Sequence, residues 1–411
     1  MNHELPKAWQ WSTVESVAAA SKYSVVDGPF GSNLKVKDYI SDGVPVLQGK
    51  NITNNEFKWF DVRYISEEKA EELNRSSVVV GDILIVKIGS IGYSAILDDL
   101  NGHEVAIIPA NLAKVTLDID RIDRRFFHLW MTSPDAVRLL RKSASKTAQP
   151  ALSLSKIKAV PVPLPPLTEQ KRIAAILDKA DAIRRKRQDA IALADTFLRS
   201  VFQNMFGFSK DLHKRWETKK VRETGKVQLG RQRSPKYQTG EYTTRYVRVA
   251  NVFEDRIDLT SLFSMDFNEK DYPKYELQYG DILLNEGQST ELVGRPAMWR
   301  NEVANCCYQN TLVRFQVDSD QLTPEYALHL FLTYFRAGEF AKISSKTSSV
   351  AHLGAGRFAD MLMPLPPLSM QKKFSGIVQQ YQKVKDDLKI AVTQNNDLFS
   401  SLQQRAFRGD L

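Results

Sequence analysis

The sequence predicts a mixed α/β fold built as two tandem, pseudo-symmetric units, each a globular part followed by a long helix. Three observations lead there. The segment Val160-Pro161-Val162-Pro163-Leu164-Pro165-Pro166-Leu167-Thr168-Glu169-Gln170-Lys171 returns 201 residues later as Met361-Leu362-Met363-Pro364-Leu365-Pro366-Pro367-Leu368-Ser369-Met370-Gln371-Lys372. The echo also runs through the flanking sequence, from Trp9 and Trp216 to His128 and His329. Finally, each proline motif leads into a stretch with apolar residues at heptad spacing.

In the globular parts, short β-branched runs are bounded by glycine and asparagine turns. Val44 to Leu47, Val78 to Val80, Asp82 to Val86 and Val105 to Ile108 read as strands, with counterparts Tyr246 to Val249, Asp281 to Leu284 and Thr311 to Phe315. Helical spacing appears in Phe126 to Met131 and in Tyr326 to Phe331. The shared Gly28 and Gly230, Asn51 and Asn251, and Gly81-Asp82 and Gly280-Asp281 mark a common scaffold. A period this long is a duplicated domain rather than a solenoid repeat.

After the prolines, Pro166 and Pro367 favour extended backbone, and Thr168 and Ser369 are expected to cap the helices that follow. The first helix carries an apolar seam at Ile173, Ile176, Ala180, Ile183, Phe197 and Val201. The second repeats it with Phe374, Ile377, Tyr381, Val384, Leu388, Leu398 and Leu402. Such seams want a helical partner, and two in one chain predict that the helices pack on each other as an antiparallel coiled coil, ~60 Å long at 1.5 Å per residue. The expected division is 1–163 and 208–364 for the globular domains, with 164–207 and 365–411 for the helices.

Composition narrows the function. A net charge of +9 with pI near 9.2 suits a polyanionic partner. The run Arg184-Arg185-Lys186-Arg187 reads as a solvated helix face or a phosphate patch. No leader pattern opens the chain and no apolar run reaches the ~18 residues of a membrane span, so the expectation is a cytoplasmic protein with no membrane partner. The only cysteines, Cys306 and Cys307, are adjacent, which argues against a disulfide scaffold.

No catalytic constellation emerges. Gly43 to Lys50-Asn51 is one residue too long for a phosphate-binding Walker loop and lacks its hydroxyl, and Gly354-Ala355-Gly356 does not complete a dinucleotide fingerprint. The six histidines show no metal-ligand spacing, and His128 and His329 sit in apolar helical patches, where satisfied core histidines are expected. No metal site and no cofactor are expected in the chain.

Polar loops at equivalent places carry the groups that contact phosphates and base edges. In the first unit the DNA-binding candidates are Lys50, Asn51, Lys87, Ser90, Lys142, Lys146, Thr147 and Gln149; in the second they are Arg231, Arg233, Lys236, Arg248, Asn251, Gln288, Lys342, Lys346 and Thr347. The units agree at scaffold positions but differ within these loops, which predicts an asymmetric, bipartite double-stranded DNA target.

With these residues in view, the chain resembles the specificity subunits of type I restriction-modification systems. The resemblance rests on Pro163 to Gln170 with the helix after it, the second copy Pro364 to Gln371, and the terminal stretch Leu402 to Leu411. Met370 departs from the pattern, which prefers the glutamate found at Glu169. The resemblance implies a non-catalytic subunit whose two target-recognition domains are held apart by a helical ruler. It also implies two modification subunits that bind S-adenosylmethionine, and restriction subunits that use ATP and Mg. Two other readings are the same reader in another restriction or modification assembly, and a protein-binding scaffold.

Overall fold

The computed structural model describes residues 5–29, 33–145, 150–346 and 350–411. The chain divides into two compact units, one of Met1–Gln188 with Ile390–Leu411 and one of Asp189–Lys389. This division differs from the expected domain-then-helix segments: each unit takes in part of both long helices, Leu167–Phe206 and Leu368–Ala406. The reason is packing. Ile173, Ala174, Leu177, Ala406 and Phe407 are buried in the main core of the first unit, while Leu198, Phe202, Phe206, Phe374 and Val378 are buried in that of the second.

Within the first unit, Leu112–Val115 and Ile83–Val86 lie at the centre of a four-stranded sheet flanked by Val25–Asp27 and Ser94–Ile96. A second four-stranded sheet contains Arg63–Ile65, Val44–Val46, Ala106–Ile107 and Ser77–Val78. The second unit repeats the plan, with Gly225–Leu229, Leu312–Val317, Ile282–Asn285 and Pro296–Met298 in one sheet and Phe263–Asp266, Thr243–Val247 and Cys306–Tyr308 in another. Helices Arg124–Met131 and Pro324–Arg336 fill the expected helical patches and bury Phe126, Phe127, Tyr326 and Phe331. The predicted strand through Val80 stops at Val78, because Val79 and Val80 lie exposed in the turn before the next strand.

The proline motif is itself part of a sheet. Pro161–Leu164 pairs antiparallel with Gln10–Thr13, and Leu362–Pro364 with Thr218–Lys220. The expected caps Thr168 and Ser369 lie inside the helices, which start one residue earlier; the backbone carbonyls of Pro166 and Pro367 accept the first helical hydrogen bonds instead, from Gln170 and Gln371 at 3.0 and 3.2 Å. The same glutamines are fully buried and tie each helix start to its globular part. The Gln170 amide donates to the carbonyls of Pro165 at 2.9 Å and Arg121 at 3.0 Å and accepts from the Asp123 N–H at 2.8 Å. The Gln371 amide does the same with Pro366, Gln321 and Thr323, at 2.8, 3.1 and 3.0 Å.

Segments of the two long helices run antiparallel within each unit. In the first, Arg172 donates to the Leu411 carbonyl at 3.0 Å and Arg184 lies 5.4 Å from the Phe399 ring. In the second, Lys385 pairs with Asp195 at 2.6 Å while Phe206 meets Phe374 edge-on at 5.5 Å. Of the expected seam, Ile173 and Phe374 are buried, Val201, Ile377, Tyr381 and Leu402 pack at the margins of the cores, and Ile176, Ala180 and Leu388 are half-buried. Ile183, Phe197, Val384 and Leu398 are corrected: they are 53, 59, 56 and 64% exposed. The helices turn their buried faces toward the sheets and helices of each unit, which brings Leu177, Leu198 and Val378 inward and leaves part of the heptad stripe in solvent.

The two equivalent histidines part company. Nε2 of His128 bonds the Ser94 carbonyl at 3.0 Å, as expected of a satisfied core histidine. The corresponding Pro296 carbonyl accepts the Asp255 N–H at 3.0 Å, and Nε2 of His329 has no partner among the described residues. Burial pushes both rings down from 6.5 to about 4.

Two expectations follow. Replacing Gln170 or Gln371 with leucine strands one buried N–H and two carbonyls, and should lower stability by roughly 2–4 kcal/mol in denaturant titrations. Both histidines stay neutral when folded but charge when unfolded, so folding binds fewer protons between pH 6.5 and about 4. Their contribution is fully present above pH 6.5 and lost as pH falls through that window, and His329→Phe should flatten the decline in melting temperature measured across it.

Candidate nucleic-acid interface

In the second unit, Arg233, Lys236 and Arg248 lie beside aromatic rings of one surface. Gly230 opens the loop, its N–H bonding the Leu312 carbonyl at 3.2 Å. A Cβ there would lie 2.3 Å from the Gln309 carbonyl oxygen, so only glycine lets the two backbones approach. The loop is held by the Asp266 carboxylate, which accepts the N–H groups of Thr239, Gly240 and Tyr242 at 2.6, 3.0 and 3.2 Å.

Cations and aromatic faces alternate across this surface. The Arg231 guanidinium lies 3.7 Å from the Tyr237 ring centre and Lys236 lies 4.8 Å from the same ring. Lys236 and Arg231 together hold the Tyr237 hydroxyl below its usual range. Arg248 stacks 4.0 Å over Phe263, with Arg233 at 6.0 Å from that ring. Phe263 and Tyr242 are 42 and 40% exposed. Exposed rings offer stacking surfaces, while the guanidinium and ammonium groups offer phosphate and base-edge donors. Sequence reading singled out the cations but missed Tyr237, Tyr242 and Phe263; Phe263 is distant in sequence and is placed here by pairing with Tyr246 across the sheet.

Several candidates have structural duties instead. Asn51 and Asn251 are fully buried. Each amide donates to two carbonyls, of Lys58 and Phe60 in one unit and of Asp258 and Ser261 in the other, so neither is available to DNA. Lys87 is buried against Asp27, and Arg231, only 4% exposed, is paired with Asp271 at 2.8 Å. Within the basic run of the first long helix, Arg184 and Arg185 bond the buried Asp181 carboxylate at 2.5 and 2.7 Å, leaving Lys186 exposed and Arg187 half-buried.

The remaining loop candidates fall into a second cluster in each unit. In the first, Ile88 bridges to Ala151 and the Ser145 N–H bonds the Ala151 carbonyl, bringing the Lys87 to Ser90 loop beside the end of the Lys142 helix. Ser90 lines a hollow of about 390 Å³ with Ile91, Tyr93 and Arg141. In the second, Gly287–Gln288, Ala351–His352 and Ser345–Lys346 form a three-stranded sheet, which presents Gln288 half-buried and Lys346 exposed. Lys342 pairs with Glu339 at 2.7 Å. Lys50 is paired with Asp61. Lys146, Thr147, Gln149 and Thr347 lie outside the described residues.

Among the described residues, no cluster of His, Cys, Asp and Glu is placed to hold a metal ion. Burial pushes the Cys306 thiol up to about 12, and Cys307 higher still. No helix among the described residues is long and apolar enough to cross a membrane.

The type I restriction modification DNA specificity domain matches twice, at residues 9–193 and 213–395. The chain belongs to that family. The two matches coincide with the repeat, and each spans a sheet pair and much of the helix that follows it. Membership of the specificity-domain family supports a role for the chain in DNA sequence specificity. Among relatives, the specificity subunit of the Escherichia coli EcoBI type I restriction enzyme is 29% identical over 174 residues, which is 41% of this chain and 36% of that protein. The chain thus spans little more than a third of that relative. The match to the EcoKI specificity subunit of Escherichia coli strain K12 is broader, 21% identical over 99% of this chain and 90% of that one. A solved chain described in connection with complex assembly and conformational transition of the type I R-M system shares the fold, with a TM-score of 0.59, 16% identity and full coverage of both chains.

If Arg233 and Lys236 meet phosphates, replacing either with alanine should weaken DNA binding across all sequences and reduce the slope of log affinity against log salt by about 1. Asn251→Ala should instead lower the melting temperature and leave the salt slope of the folded protein unchanged.

Proposed function

We propose that the chain is the DNA-reading subunit of a type I restriction-modification assembly, recognising an asymmetric, bipartite site and directing modification and cleavage subunits to it. The observation that carries this reading is one scaffold used twice with different exposed chemistry. Both units hold a buried asparagine and a buried helix-start glutamine in the same places, yet Arg248, Phe263 and Gln288 of the second unit have no chemical equals at the matching places of the first. Two copies of one reader with unlike surfaces suit two unlike half-sites, in opposite orientation if a twofold axis relates them.

In this reading the chain is non-catalytic. Two modification subunits would bring S-adenosylmethionine for adenine methylation, and restriction subunits would bring ATP and Mg for translocation and cleavage. The apolar side chains left in solvent on the long helices, Ile183, Leu193, Phe197, Val384, Ile390 and Leu398, support docking of such partners, since exposed apolar stripes favour association. The two long helices would set the spacing between half-sites.

The test is a footprint of the chain with its modification subunits on a duplex carrying its methylated motif. Two short protected tracts separated by an unprotected spacer are expected; one continuous tract would refute the bipartite reading. Deleting one heptad from both helices should change the preferred spacer length.

A further inference from the structure

We infer that Arg248 and its repeat counterpart Gln48 are a base-reading pair that sets specificity, Arg248 selecting guanine in one half-site and Gln48 adenine in the other. This deepens the DNA-reading function proposed above and rests on it. The two positions are fixed in the same way by the buried asparagines. The N–H groups of Gln48 and Arg248 donate to Oδ1 of Asn51 and Asn251 at 2.9 and 3.0 Å. Their carbonyls accept the N–H of the same asparagines at 2.9 and 2.8 Å. Each residue is therefore gripped at both backbone groups, directly after a sheet strand, Val44–Val46 in one unit and Thr243–Val247 in the other. A side chain on such a mount is held still before DNA arrives, which is what discrimination between bases requires.

The mount is identical and the cargo differs. Gln48 and Arg248 are both half-buried at the surface. The guanidinium of Arg248 lies 4.0 Å from the centre of the partly exposed Phe263 ring, which gives it a packing partner at the surface. Its Nε is buried and has no hydrogen-bond partner among the described residues. Other arginines of this unit are engaged, Arg231 with Asp271 at 2.8 Å, Arg300 with Asp255 at 2.7 Å and Arg314 with Asp281 at 3.3 Å, while Arg233 shares the Phe263 ring with Arg248 at 6.0 Å. Among the described residues no carboxylate pairs with Arg248, so the fork of its terminal N–H groups, not the buried Nε, is left for an outside acceptor. O6 and N7 of guanine match that fork bidentately in the major groove, and a glutamine amide, one donor and one acceptor, matches N6 and N7 of adenine.

The test uses the full chain with its modification subunits, a pool of randomised duplexes, and sequencing of the bound fraction. Wild type should select guanine at one position of one half and adenine at one position of the other. R248Q should lose about 10- to 100-fold of the discrimination at the guanine position and leave the other half unchanged. Q48A should do the reverse. R248K, which keeps the charge and the stem, serves if R248Q melts early, and it should relax the same position.

An unaltered consensus for R248Q or R248K would overturn the assignment. So would uniform weakening on every duplex with a shallower salt slope, which would make Arg248 a phosphate contact. A wild-type complex that selects no sequence at all would be a different result, refuting the DNA-reading function itself.

Discussion

Each unit depends on one buried side chain at the start of its long helix. Gln170 and Gln371 take three hydrogen bonds apiece inside the protein, two given and one received, and all join the helix start to the proline strand and to the turn before the neighbouring helix. Those groups lie where water cannot replace the amide, so leaving them unpaired costs more than the bonds contribute when made. The strands Pro161–Leu164 and Leu362–Pro364 end just before these helices, and the cores that bury Ile173 and Phe374 begin within two turns of them. The orientation of a long helix relative to the sheets beside it is thus decided at a single, fully satisfied amide in each unit.

A similar economy governs the polar surfaces. A buried asparagine ties a small hairpin to the end of a sheet strand in each unit, and the side chain presented at that point is free to vary because none of the asparagine's bonds involves it. Arginines inside the scaffold are paired with aspartates away from solvent, as Arg314 is with Asp281 at 3.3 Å, both side chains being 3% exposed. What remains is a smaller set of cations beside rings that are at least partly exposed, Arg233 and Arg248 with Phe263 and Lys236 with Tyr237.

Much of this was legible in the chain because it is written twice. The strands around Ile83 and Ile282, the helices around Phe127 and Tyr326, and both long helices follow from periodicity and from agreement between the copies. The helix seam was only half legible. Heptad spacing identifies an apolar stripe but not which neighbour covers it, and Ile183, Phe197, Val384 and Leu398 stayed in solvent while the helices turned toward their sheets. The asparagines read as DNA contacts because they are polar groups in equivalent loops, but their buried amides are spent on backbone carbonyls. Asn51 and Asn251 agree and hold the scaffold, whereas of the differing residues Lys87 and Arg231 are buried in ion pairs and Gln48 and Arg248 reach the surface.

By itself, the sequence determined the duplication, the α/β character, the position of each long helix and the family, since all of these rest on pattern and spacing along the chain. Only the tertiary structure decided which polar groups are consumed inside. Asn51, Asn251, Lys87 and Arg231 were drawn into buried hydrogen bonds and ion pairs, and Phe263 was brought beneath Arg248 by strand pairing. The physical reason is that burial and stacking are set by neighbours distant in sequence, so the same residue type is a brace where its partners are protein and stays at the surface where they are not.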